Sequence, residues 1–399
     1  MRRVFASLRV TIYNMRMPKT PRKPRNTPHS ALRAPCATQA DGIAAAPRPH
    51  RSDAKFADAA DILRRDIVRG IWKPGERLPT WDALCERLDI QRPTLRRTLS
   101  ILKAEGFIEA APTRATHVHS APPHLTRYAL LFPSTPQRRG PSGWNLYWDA
   151  LAVNAPLIAK ELGVRIDIHY DVSTHPDCAA YANVMADHAK RRIAGILAVR
   201  GGDLGGIVPK KSAQTPIVHI SAGNSPADNA PSVWFDWASF NDRAADILLS
   251  RGCRSIAVLA DTMGAASISA SVLAAKGARI QPKWTLTIPG YLPDLACNLA
   301  RLLVADPADR PDALLITDDN LVAPACDGIA KQGISMPGDI LVLSHCNWPA
   351  PGARPDVLRL GFSARDSLLS ALKLCSVPFR PSEPFPSIAL QPTGEYECR

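Results

Sequence analysis

At 399 residues and 46% hydrophobic content, the chain exceeds what one hydrophobic core usually organises, so two folded domains are expected and a wholly disordered class is excluded. The net charge of +13 suggests a nucleic-acid partner, but residues 1–51 hold eleven Lys/Arg against one Asp (11 − 1 = +10), leaving +3 for the rest. Nine cysteines without a CxxC pair or a Cys/His cluster at zinc spacing point to no metal site and to a reducing cytoplasm. No run of about 18 apolar residues is present, so no membrane span is expected. Arg9 and Asn14 interrupt the apolar stretch that a signal peptide would need.

Residues 1–52 are rich in Arg, Pro and Ala, with Pro18, Pro21, Pro24 and Pro28 closely spaced, and read as a disordered basic tail. A solvated tail, an over-called start with Met15 or Met17 as later candidates, and an arm adding phosphate contacts are the alternatives.

Residues 53–118 carry a denser pattern. Phe56, Ala60, Leu63 and Ile67 recur at helical spacing before Gly70, and Lys73-Pro74-Gly75-Glu76 reads as a turn. A second helix, capped by Thr80, is expected to place Trp81, Leu84, Cys85 and Leu88 on one face. A third begins near Pro93, with Leu95, Leu99 and Leu102 inward and Arg92, Thr94, Arg96 and Arg97 outward or at its N-terminal end. A two-strand hairpin follows. Helix, turn, helix and hairpin suit DNA, because Arg at the start of a recognition helix can make paired bonds to guanine in the major groove.

Four blocks in this order resemble the winged-helix domain of GntR-type transcription factors: Ile67-Val68-Arg69-Gly70, Pro74-Gly75-Glu76-Arg77-Leu78-Pro79, Arg92-Pro93-Thr94-Leu95-Arg96 and Leu102-Lys103-Ala104-Glu105-Gly106-Phe107-Ile108. The resemblance implies that Arg77, Gln91, Arg92, Thr94, Arg96, Arg97 and Arg114 face operator DNA, with Thr113 to Thr116 at the wing tip. Three positions depart from the family pattern. Asp82 stands where an Arg is usual, Gln91 replaces a Ser, and the wing lacks its glycines.

Residues 119–126, with Pro122 and Pro123 adjacent, are expected to form a short semi-rigid linker. From Arg127 onward, eight short apolar runs alternate with helical stretches, beginning at Tyr128–Phe132 and ending at Ile340–Leu343. Such alternation implies parallel sheets covered on both faces, as one large sheet or two doubly wound lobes. Pro216 to Ile220, Ser232 to Asp236, Leu248 to Ala257, Pro311 to Asp319 and Gly333 to Ile340 resemble the effector domain of LacI-type regulators, itself similar to periplasmic sugar-binding proteins. The resemblance implies two lobes across residues 127–399 with a ligand cleft between them.

Ligands in such lobes sit at the carboxyl ends of strands. That rule selects Trp144, Tyr147, Trp148, Ser221, Asp236, Trp237, Asp318 and Asn347, with Asp319 and His345 beside them. Aromatic rings beside carboxylates and amides suit a sugar, and core or hinge packing of the same tryptophans is the alternative. Two departures concern this pocket: Ala265 to Ala275 lacks the Arg that family sensors often carry, and Cys346 stands where an Asp is usual. No catalytic constellation appears, and Gly201-Gly202 and Gly205-Gly206 lack the GK[ST] of a phosphate loop. The expectation is a cytoplasmic, homodimeric regulator, a repressor, that binds double-stranded operator DNA and a small effector, without a cofactor, metal or enzymatic activity. A head fused to a pyridoxal-phosphate enzyme-like domain, or a sensor that only dimerises, are the other readings.

Overall fold

The computed structural model describes residues 51–110, 115–138, 144–175, 177–200, 215–223, 226–227, 230–289, 292–349, 354–377 and 384–394. The basic tail up to residue 50, Thr113, Arg114 and the glycines from Gly201 to Gly206 lie outside them.

The head is built from α1 (Arg51–Val68), α2 (Trp81–Leu88), α3 (Arg92–Ala104) and the antiparallel strands β1 (Ile108–Ala110) and β2 (Thr116–Val118). α1 thus starts two residues inside the stretch read as tail. Gly75 takes the left-handed turn conformation (φ 79°), which lets the chain reverse so that Leu78 N donates to Thr116 O and Val118 N to Glu76 O, both 2.9 Å. Leu63, Ile67, Leu84, Leu95, Leu102 and Phe107 close the core, each contributing about 1.5–3 kcal/mol relative to exposure. Thr80 caps α2 as expected, accepting from Ala83 N at 3.4 Å. Trp81, expected on the inward face, is instead exposed, as the first residue of an eight-residue helix at its uncovered end.

The stretch expected as a linker holds a helical turn, α4 (Pro123–Thr126). Pro123 is buried and His124 stacks on Phe107 of the head, ring centroids 5.7 Å apart.

Two parallel sheets follow. The first has the order β13-β7-β6-β5-β3-β4, where β3 is Arg127–Leu131, β4 Arg165–His169, β5 Gly195–Val199, β6 Ile217–Ile220, β7 Ser232–Phe235 and β13 Ser387–Leu390. The second has the order β12-β11-β10-β8-β9, with β8 Ile256–Ala260, β9 Thr285–Thr287, β10 Ala313–Ile316, β11 Leu341–Trp348 and β12 Leu358–Ser363. Strands β5, β8 and β10 are apolar and buried throughout, as a sheet covered by helices on both faces demands. Covering helices include α5 (Leu146–Leu162), α6 (Ala179–Ala189), α7 (Trp237–Ser250), α8 (Met263–Ala275), α9 (Pro293–Val304), α10 (Val322–Ala330) and α11 (Ala364–Cys375). Between the alternatives of one sheet and two, the strand orders decide for two doubly wound lobes.

The chain leaves the first lobe through α7 and returns through α11. After β13 it reaches the second lobe again, where Thr393 pairs with Gly361. Phe235 at the end of β7 stacks on Phe362 of β12 at 4.1 Å, so an aromatic contact ties the lobes where the chain crosses. No helix among the described residues is long and apolar enough to cross a membrane.

Candidate functional site

The head presents the N-terminal turn of α3. Gln91, Arg92 and Arg96 are exposed there and Thr94 is half-buried, while Leu95 and Leu99 anchor the opposite face. Asp82, the residue that departs from the family pattern, accepts from Arg92 Nη2 (2.6 Å) and Nε (3.1 Å), which raises the pKa of the guanidinium. Both partners are exposed, so the pair orients Arg92 more than it stabilises the fold. Arg97 is set apart from this group, its guanidinium lying 5.8 Å from the centre of the Phe56 ring on α1. Arg77 is exposed and bridges to His117 on the wing. Arg114 is outside the described residues.

The second site follows from topology. In each doubly wound sheet the strand order reverses beside the first strand, between β3 and β5 in one lobe and β8 and β10 in the other. A crevice opens at the carboxyl ends of strands at such a reversal. Here it forms a cavity of about 1300 Å³ between the lobes.

Of the residues expected to bind ligand, Trp144, Tyr147, Trp148, Trp237, Asp318 and Asn347 line this cavity. Several also serve the packing that was the rival reading. Trp144 lies 4.8 Å from Phe132 and its indole N–H donates to Asp149, and Tyr147 donates its hydroxyl to Ser367 Oγ (3.0 Å). Tyr147 therefore offers the cleft a ring face and no free hydroxyl. Trp237 donates Nε1 to Ala222 O at 2.8 Å, leaving its face toward His345, 4.9 Å away.

Ser221 and Asp236 do not line the cavity. Ser221 Oγ accepts from Gly223 N (2.9 Å) in the turn after β6. Asp236 is the N-cap of α7, accepting from Ser239 N (3.0 Å), Ser239 Oγ (2.7 Å) and Gln391 Nε2 (3.0 Å), bonds that hold its pKa low. A strand-end position is shared by cap residues and ligand residues, and here helix capping consumes the side chain.

The same rule applied to β5 and β8 would have found two lining residues that were passed over, Arg200 and Asp261. Asp319 and Asn320 complete the floor. Asn320 N and Nδ2 both donate to Asp318 Oδ1, at 2.9 and 2.8 Å, and Asn347 Nδ2 donates to Asp319 Oδ2 at 2.7 Å. Asn320 Oδ1 in turn accepts from Leu146 N at 3.3 Å, linking the floor to the first turn of α5 in the other lobe. Burial raises the pKa of Asp318 and of Asp261, and pushes Asp319, beside the Asp318 charge, up to about 7. His345, enclosed by Phe235, Trp237, Phe240 and Phe362, is pushed by burial down to about 3 and is neutral at physiological pH.

Several polar atoms at the cleft have no protein partner: Thr317 Oγ1, Asn347 Oδ1 and both ring nitrogens of His345. These three residues are 5–6% exposed. A buried polar group left unbonded costs on the order of 1–3 kcal/mol, so their convergence on one cavity makes it the candidate site.

Fold and sites thus define a winged-helix head joined to a two-lobed α/β domain with an interlobe cleft. Residues 56–118 match the family model described as "Bacterial regulatory proteins, gntR family", and the head is a GntR-type winged helix. Over 59 residues the chain is 39% identical to the "Glc operon transcriptional activator" of Escherichia coli K12, covering 15% of this chain and 23% of that protein. Over 65 residues it is 31% identical to the "Probable fructoselysine utilization operon transcriptional repressor" of the same strain, covering 16% and 27%. The match thus spans about a quarter of the length of these relatives. Solved structures similar to this chain include a LacI family transcriptional regulator from Lactobacillus casei with bound sucrose (15% identical, 67% of this chain and 97% of that one, TM-score 0.48). Another is the transcription regulator CcpA of Lactococcus lactis (14% identical, 68% and 99%, TM-score 0.47).

Proposed function

We propose that this protein is a ligand-responsive transcriptional regulator: the head binds operator DNA, and a small molecule in the cleft, with a sugar as the first expectation, changes operator affinity. The observation that carries the reading is the set of buried, unpartnered polar atoms of Thr317, His345 and Asn347 at a cleft joined to a GntR-type head. Ligand can act on DNA only through a difference in affinity for two arrangements of the lobes. Trp144, Trp148 and Trp237 supply flat apolar surface suited to the C–H face of a sugar ring, while Asp318 and Asn347 supply acceptors for hydroxyls.

A homodimer reading a two-fold operator is the working assembly. The exposed Val153 and Leu157, one turn apart on α5, offer an apolar strip for a second copy. The similar head domains come from one protein named as an activator and one named as a repressor, so repression stands as the expected direction to be tested in a reporter strain. An operator-DNA partner supports the expectation of a cytoplasmic protein. The pyridoxal-phosphate alternative gains no support from the cavity, whose described lining contains no lysine to form a Schiff base.

Gel-shift titration of DNA selected in vitro from a random pool tests the head. Arg92→Ala and Arg96→Ala should each weaken binding by about tenfold, the order of 1–3 kcal/mol per base-reading Arg, with ligand affinity unchanged. Equal affinities for wild type and both variants would remove α3 as the reading helix.

A further inference from the structure

The polar lining of the cleft is unbalanced in charge. The second lobe supplies three carboxylates, Asp261 at the end of β8 and Asp318 and Asp319 at the end of β10. Across from them the first lobe supplies one guanidinium, Arg200 at the end of β5.

The unmet hydrogen-bonding atoms lean the same way, and they are independent of the carboxylates' charge. Asn347 spends its amide N–H on Asp319, which fixes the orientation of the amide and leaves Oδ1, an acceptor only, without a partner. His345 is neutral, so one of its two unpartnered nitrogens is an acceptor and the other an N–H donor left for a hydroxyl oxygen of the ligand, and Thr317 Oγ1 is able to accept as well. All three side chains are more than nine-tenths buried.

A neutral polyol brings an acceptor with each donor and no charge to set against two adjacent carboxylates. An ammonium group brings three donors, no acceptor and a positive charge. Among the described residues no group of three His, Cys, Asp or Glu side chains is arranged to hold a metal ion, which favours an organic cation. We infer that the effector carries an ammonium group, seated on the cleft floor against Asp318 and Asp319, with its remaining polar atoms toward Arg200. This rests on the ligand-sensing reading given above and narrows it to aminated ligands, amino sugars or small polyamines.

Calorimetric titration and thermal shift on the full chain, with matched probes, separate these cases. The pairs are glucosamine against glucose and galactosamine against galactose, with putrescine and spermidine as amines that lack a sugar ring. At least one amine should bind more tightly than its neutral counterpart, or than every neutral sugar, by roughly tenfold or more. The arm that responds tells an amino sugar from a polyamine. Asp318→Asn and Asp319→Asn, which keep the shape of the side chain, should each erase most of that preference. Retained operator binding by both variants shows that they are folded. A neutral sugar that binds as tightly as its amine, a panel in which no amine binds, or a preference that survives both substitutions would overturn the inference. A neutral sugar that binds as tightly as its amine and shifts operator affinity would overturn this inference and leave the regulator reading standing. Failure of the head to bind any selected DNA would do the reverse.

Discussion

Asp319 shows how much of a residue's chemistry is decided by its surroundings. Its immediate neighbours are the Asp318 charge and the Asn347 amide, while His345, Asp261 and, from the other lobe, Arg200 line the same cavity. Burial and then the Asp318 charge push its carboxyl up to about 7, against an unfolded value of about 3.9. Between those values the native state holds a proton that the unfolded chain has lost, so stability falls as pH rises through about 7. His345, pushed by burial down to about 3, acts with the opposite sign. Its unfolded value is about 6.5, so its contribution grows as pH rises toward 6.5 and is flat above. Comparing variants isolates the carboxyl: in thermal melts from pH 5 to 8, Asp319→Asn should gain progressively on wild type, most clearly above pH 6.5. A pH-independent difference would show that the Asp319 pKa is ordinary. At this scale the sequence was only partly legible. Asp318 and Asp236 both stand at strand ends and both cap the turn that follows, yet only Asp318 lines the cleft.

Elements were legible where burial is complete on both faces. The interior strands β5, β6, β8 and β10 stand out as short apolar runs because helices cover them above and below. Those passed over, β9, β12 and β13, are all sheet edges, where the outer side of the ladder is open or, at β12, met only by the Thr393 bridge, and polar residues such as Thr285, Arg359 and Ser387 are tolerated. Helix packing adds a constraint that no propensity scale carries. Gly to Ala inside a helix ordinarily stabilises by about 1 kcal/mol. At Gly328 in α10, however, a Cβ would overlap the backbone carbonyl of Cys297 on α9, and overpacking of that kind costs about 1–3 kcal/mol. The steric term should win, so Gly328→Ala should lower the melting temperature by about 5 °C. At Gly264 in α8 a Cβ meets nothing within 4 Å, and the same substitution there should leave the melting temperature unchanged or raise it. A Gly328→Ala protein that melts no lower than wild type would show that α9 and α10 move apart at little cost.

For the molecule as a whole, the contact between head and first lobe matters most. Glu105, the C-cap of α3, accepts from Arg64 of α1 at 2.6 and 2.9 Å and stands 3.2 Å from Arg192 Nε, which follows α6. The chain of charges continues from Arg192 to Asp187 (3.3 Å), from Asp187 to Arg127 (2.9 Å) and from Arg127 to Asp167 (2.6 Å). The C-terminal end of α3 is therefore tied by charge to the edge of the first lobe's sheet. Set against it is Arg191, whose pKa is lowered by burial and by the like charges of Arg69, just past α1, and Arg65 on α1. Glu105 and Arg192 are mostly buried, so the pair should be worth about 1 kcal/mol or somewhat more, the upper end of the range for exposed pairs. Arg192→Ala should then release the head to unfold about 4–8 °C below its wild-type transition, given the small size of that domain. Differential scanning calorimetry reads this as a separate low-temperature shoulder; a single unshifted transition would show that the ion chain does not couple head to lobe.

The order of apolar runs, turns and caps along the chain was enough to determined the winged helix and the alternating α/β class, because local spacing and burial on both faces leave a one-dimensional trace. Closure of the sheets into two lobes, the contact of Asn347 with Asp319 on the cleft floor, and the partner of Glu105 were decided only by tertiary structure. Each depends on residues distant in sequence meeting at a strand end or a domain contact, and no local pattern records such meetings.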